Sequence, residues 1–197
     1  MKIVFGDLEA NGLLDTASLI HCGVFKDKDS HVVKKFVRTD AWENDDMLDF
    51  LDSVDVWIGH NIIGYDIPLL KKVYNYDYKG KVVDTLTMSR LLNPKRILPV
   101  RCPVGVGPHS VEAWGWRVGR GKVEHHDWEE FSPEMLHRCS EDVEIQELIY
   151  YALMEESKKG KWRDAFLLSF DLFKYLQKQE QYGWLVDQEH MTFCIRQ

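Results

Sequence analysis

From residue 3 to residue 37, apolar positions come in short runs separated by polar turns, the spacing of strands rather than helices. Residues 3–5 read as a buried strand. Residues 19–25 and 32–37 read as two more, joined by the polar turn 26–30. Three consecutive strands with short turns predict an antiparallel meander. Over 41–53 the spacing turns helical, with Trp42, Met47, Phe50 and Leu51 apolar and acids between them. Residues 56–60 predict a strand, and 68–76 a helix with Pro68 in its first turn. Residues 81–85 predict a short strand running into a helix that ends near Leu92. An antiparallel start followed by alternating strands and helices implies an α/β layer architecture, a mixed sheet covered by helices.

The second half is punctuated more sharply. Residues 93–108 hold four of the six prolines together with Gly105 and Gly107, so they predict a long irregular loop. Ser132, Pro133 and Glu134 form a helix start of cap, proline and first-turn acid. That helix carries Asp142 toward Glu156, and the run Lys158, Lys159, Gly160, Lys161 interrupts it. A second long helix follows, with Trp162, Phe166, Phe170, Phe173, Tyr175 and Leu176 at near-helical spacing, a stripe that predicts core packing. Trp114 and Trp116 are read as core as well.

Within this pattern the chemistry lies in acids. Asp7 and Glu9 close the first apolar run as D-x-E, and residues two apart on a strand share one face. Two neighbouring carboxylates repel and raise each other's pKa unless a cation lies between them. Oxygen-only ligation suits Mg²⁺ or Mn²⁺ better than zinc. With Asp66 and Asp142, they form a set able to hold two hard divalent ions. Such a pair can clamp the attacking and leaving oxygens of a phosphodiester.

Composition narrows the field. At 197 residues, 45% apolar and 12% aromatic, the chain is one ordinary domain with a real core and perhaps a short appendage. Cys22, Cys102, Cys139 and Cys194 form no C-x-x-C pair, which argues against a structural zinc site or a disulfide framework. No basic leader with an apolar segment precedes the first strand, and no apolar stretch is long enough to span a bilayer. A soluble cytoplasmic protein, with no membrane partner, is expected. The net charge of −7 argues against indiscriminate coating of nucleic acid. Yet between Arg90 and Lys122 seven basic residues face one acid, Glu112. That stretch is either a solvated loop or a local phosphate-contacting surface. His125 and His126 sit in a polar stretch and are read as solvated, and Asp84 as a helix cap or a residue behind the metal ligands.

The segments around the acids carry a likeness. Phe5-Gly6-Asp7-Leu8-Glu9 with the residues through Leu14, the stretch 59–68 around Asp66, and Ser140-Glu141-Asp142-Val143 resemble the three motifs of the DEDD (DnaQ-like) 3′–5′ exonucleases. Among these the likeness is greatest to the proofreading domain of family A DNA polymerases from short-tailed phages. Supporting stretches are 21–24, 83–91 and 109–115, and the likeness runs in order from about residue 3 to 155. It implies a ribonuclease H-like mixed sheet with an antiparallel start and then parallel strands, flanked by helices. It also implies two divalent ions, Mg²⁺ or Mn²⁺, held by Asp7, Glu9, Asp66 and Asp142, and removal of nucleoside 5′-monophosphates from DNA 3′ ends. Leu13 would match the apolar residue that wedges between the last two bases. Asn61 and Tyr65 are candidate contacts to the terminal nucleotide, although Asn61 could equally tie down a turn. The last motif of the family has a Tyr four residues before the final Asp or a His five before it. Here Arg138 stands at the Tyr position, unlike the phage polymerases, while His137 meets the His spacing and becomes the candidate general base.

The same likeness predicts an exonuclease unit over 1–156 and a helical tail over 157–197. The tail, around residues 179–187, resembles the junction between exonuclease and polymerase. No polymerase elements follow. The expected partners are single-stranded or frayed DNA 3′ ends and a family A polymerase, either separately encoded or lost from a shortened chain. The compartment would be the host cytoplasm if the gene is a phage's. Two alternatives remain open: an RNA 3′–5′ exonuclease of the same superfold, since nothing here reads the 2′-hydroxyl, and a catalytically inactive nucleic-acid or polymerase-docking module.

Overall fold

The structure, a computed structural model, describes residues 1–38, 45–100, 102–121 and 127–196. Trp42, Arg101, Lys122, His125 and His126 lie outside the described residues. The first strand, β1 (Ile3–Ala10), is longer than its apolar run and takes in both Asp7 and Glu9. It pairs antiparallel with β2 (Ile20–Asp27), which pairs antiparallel with β3 (Val33–Val37). Helix α1 (Asp45–Asp52) leads to β4 (Val56–Gly59), parallel to β1. Helix α2 (Asp66–Tyr74) leads to β5 (Lys81–Asp84), parallel to β4. The order is β3-β2-β1-β4-β5, with the acid-bearing strand at the centre. The mixed sheet read from the alternation of strands and helices is present. Edge strand β3 is largely exposed and carries Lys34 and Lys35, charges that discourage further strand pairing.

Five helices follow: α3 (Thr85–Leu92), α4 (Val111–Val118), α5 (Pro133–Ser157), α6 (Arg163–Tyr182) and α7 (Gln188–Ile195). Side chains alternate across the sheet and divide the core in two. Val4, Leu8, Phe25 and Trp57 pack with Met47, Leu51, Leu69 and Leu70 of α1 and α2. Phe5, Cys22, Val24 and Ile58 pack under Met135, Cys139 and Val143 of α5. Since Phe5, Asp7 and Glu9 share a face, the two acids lie on the α5 side.

Three readings are corrected. The aromatic stripe of α6 is core only at Phe170. Tyr175 and Leu176 are exposed, and Leu168 and Leu172 beside them are exposed too, because no described residue covers that side of the helix. Trp116 is 43% exposed, whereas Trp114, two positions on and so pointing away from it, is buried. The basic stretch is largely engaged inside the protein. Arg96 pairs with Glu156 at 2.9 Å and lies over Trp114, Arg117 donates to the Ile97 carbonyl, and Arg120 pairs in bidentate fashion with Glu141. Helix α2 starts two residues earlier than its pattern suggested, which places Asp66 in its first turn. Asn75 in the left-handed region closes it.

Candidate active site

The four acids come from three elements. Asp7 and Glu9 stand on β1, Asp66 opens α2, and Asp142 lies on the buried side of α5. Helix α5 begins where its cap predicts, with Ser132 Oγ accepting from the Met135 amide at 3.1 Å and Pro133 at the first helical position. Its i, i+3, i+4 spacing then turns Cys139, Asp142, Val143 and Gln146 toward the sheet. Gln146 Nε2 donates to Asp7 Oδ1 at 2.9 Å, and the Cys139 thiol lies 3.4 Å from the Asp7 carbonyl. Asp66 is fixed from the β1 side, where the Leu8 amide donates to its Oδ1 at 3.1 Å.

These groups share one electrostatic environment. Burial, reinforced by the charge of Asp7 and opposed by that of Arg138, pushes the Glu9 carboxyl up to about 9. Burial and then Asp7 hold the Asp66 carboxyl well above the usual carboxylate range. Burial, a hydrogen bond with Cys22 and the charge of Asp7 likewise push the Cys139 thiol up, so it stays protonated. One oxygen each from Asp7 and Glu9 and the Cys139 sulfur lie within 4.8 Å of one another. The cation set against this charge is Arg138, whose Nε lies 3.7 Å from Glu9 Oε1 and 3.7 Å from Asp142 Oδ2.

The other sequence candidates fall around this cluster. Leu13, in the turn after β1, is 75% exposed. Its carbonyl accepts from the amides of Thr16 and Ala17, and Lys72 donates to the next two carbonyls, so the turn is tied to α2. The Tyr65 hydroxyl donates to the Gly12 carbonyl at 2.6 Å. Asn61 takes the left-handed backbone region, and its carbonyl accepts from the amides of Gly64 and Tyr65, which is the turn-forming role. Leu13, Asn61 and Tyr65 line one open groove of about 1390 Å³, whose far wall includes Lys174 and Lys178 of α6. Asp84 is a cap, accepting from the Thr87 amide at 2.9 Å and also from the Ile63 amide. His137 is exposed on α5, about 100° round the helix from Arg138. Sequence reasoning did not pick out Gln146, Cys139 or Trp128. For the first two, the 139, 142, 146 helical spacing was the readable signal.

No protein-family model matches the chain. It is 25% identical to the DNA-directed DNA polymerase of Escherichia phage T7, over 78% of this chain and 27% of that one. The polymerase of Enterobacteria phage T3 is 24% identical over the same shares. The chain thus spans about a quarter of the length of these relatives. Among solved structures, Brucella melitensis NrnC with bound Mg²⁺ superposes with a TM-score of 0.66 at 16% identity, covering 92% of this chain and 86% of that one. Escherichia coli RNase D, an exoribonuclease involved in structured RNA processing, superposes at 0.63 with 13% identity, covering 90% and 45%. These likenesses bear out the resemblance to DnaQ-like exonucleases and the ribonuclease H-like sheet.

Proposed function

We propose that this chain, which has the DnaQ-like exonuclease fold, is a metal-dependent 3′–5′ exonuclease acting on single-stranded or frayed DNA ends. Residues 1–156 would form the nuclease unit and 157–197 its helical tail. The observation that supports this reading best is the convergence of Asp7, Glu9, Asp66 and Asp142 from β1, α2 and α5. Two of them, Glu9 and Asp66, are held above the ordinary carboxylate range by burial and by each other's charge. A cluster of that kind costs stability unless cations complete it. An all-carboxylate donor set fits Mg²⁺ or Mn²⁺. A pair of such ions, when bound by these acids, would polarise the phosphodiester and activate water.

The protein's own groups would do the rest. Gln146 and the Leu8 amide hold Asp7 and Asp66 in fixed orientations. The exposed Leu13, on a turn anchored by Tyr65 and Lys72, offers an apolar edge to the terminal bases, and the groove beside it accommodates the strand. His137, open to solvent at the start of α5, is the candidate to take a proton from water. His137→Ala should slow hydrolysis roughly a hundredfold, the lower end of general-base effects. A loss under threefold in single-turnover assays would give the role to another group.

A second reading rests on the comparisons. RNase D is an exoribonuclease, and another NrnC structure holds pGG, so RNA or short oligonucleotides are competing substrates. Digestion of matched 5′-labelled DNA and RNA single strands with Mg²⁺, Mn²⁺ or EDTA decides between the readings. The DNA reading expects a metal-dependent ladder shortening from the 3′ end, faster on DNA. A faster RNA ladder would transfer the assignment, and no shortening in any metal would end it. The exposed apolar side of α6, with Trp184, Leu185 and Phe193 beyond it, supports docking beside a polymerase. Among the described residues no helix is long and apolar enough to cross a membrane.

A further inference from the structure

Arg138 stands where a cation belongs. Its side chain is 16% exposed, and its Nε is equidistant, at 3.7 Å, from Glu9 on β1 and Asp142 one turn along α5. The guanidinium lies flat against Trp128, 4.6 Å from the ring centroid. That ring is positioned from the sheet, because the Trp128 carbonyl accepts from the buried His21 Nε2 at 2.9 Å. The approach to the acids is too long for a hydrogen bond, and Nε has no hydrogen-bond partner. Stacking and charge, rather than directed bonds, therefore hold the side chain. An arginine does not leave by losing its proton, since it is charged at every accessible pH. To vacate the position it must move.

We infer that Arg138 is a built-in cation on the Glu9–Asp142 side of the cluster, so that a divalent ion enters that side only after the guanidinium has swung away. Arg138 thereby makes the two metal positions unequal. The side formed by Asp7 and Asp66 fills first, and the Glu9–Asp142 side fills at higher metal concentration. The inference rests on the nuclease reading, in which these acids bind divalent ions, and it goes beyond that reading by assigning the order and the residue that sets it.

Titration of the full chain with Mn²⁺, without substrate, tests this by calorimetry or by the paramagnetic resonance of free Mn²⁺. The wild-type protein should bind one ion, and a second about tenfold or more weakly, a modest share of what two like charges at such separations exert on each other. R138Q, which removes the charge and keeps a similar length, should bring the two affinities within about threefold. R138K, which keeps the charge, should stay unequal. Two equal sites in the wild-type protein would overturn the inference without any variant. So would R138Q with an unchanged isotherm, or R138K behaving as R138Q does. D7N separates this from the nuclease reading: if it takes up Mn²⁺ as the wild type does, the acid cluster is not the metal site and both readings fall.

Discussion

Asp7→Asn should leave the protein folded and cut exonuclease activity by about 10³–10⁵-fold, the rate equivalent of several kcal/mol of lost charge stabilisation at the reacting phosphate. The two halves of that expectation follow from the same contacts. The asparagine oxygen can still accept from Gln146 Nε2, so the packing of β1 against α5 is retained. Removing the charge also relieves Glu9 and Asp66, both of which Asp7 pushes upward. The melting temperature measured in EDTA should therefore hold or rise while activity collapses. A variant that loses activity in proportion to a loss of folded protein would mean that Asp7 serves architecture alone. One that retains more than a tenth of the activity would remove Asp7 from the chemistry.

Trp57→Ala should cost about 3–5 kcal/mol of stability, the range for truncating a large buried aromatic residue. In a chain of this size that corresponds to a fall of roughly 6–20 °C in melting temperature. Trp57 is fully buried on β4, meets Phe25 and Tyr78 edge-on at 5.2 and 5.7 Å, and donates from Nε1 to the Gly6 carbonyl at 3.1 Å. Gly6 makes that approach possible, since a Cβ there would come within 2.7 Å of the indole nitrogen and 2.4 Å of Phe25. The indole thus backs the strand that presents Asp7 and Glu9 on its other face. Chemical denaturation reads the effect directly, and a loss below 1 kcal/mol would mean that the surrounding side chains collapse into the space.

Much of this was legible in the chain, and the reasons differ from place to place. Strand alternation was enough to put Asp7 and Glu9 on one face, and Ser132-Pro133 was enough to start α5. Asp84 announced itself as a cap by standing between a β-branched strand and a helix. Helix α4 was missed because it follows a proline-rich loop and is short, although Ser110 accepting from Ala113 and the left-handed Gly119 bound it as caps normally do. Helix α7 was missed for similar reasons, with Asp187 as its unrecognised cap. The α6 stripe shows a different limit: periodicity tells which side of a helix is apolar but not whether anything covers it. Arg138 shows a third. Its spacing from Asp142 was readable, but its approach to Glu9 joins residues 129 positions apart and depends on how α5 crosses the sheet.

The distribution of the acids along the chain also has a consequence for biogenesis. Domains emerge from the ribosome N-terminus first, and contacts between distant segments form only once both have been made. β1 appears early, but Asp142 and the helix that braces Asp7 through Gln146 appear only after most of the sequence has been translated. A nascent polypeptide therefore carries Asp7, Glu9 and Asp66 without their last companion for most of its synthesis. Any capacity to cut nucleic acid arises late, when the newly made protein is close to leaving the translation machinery and its own message.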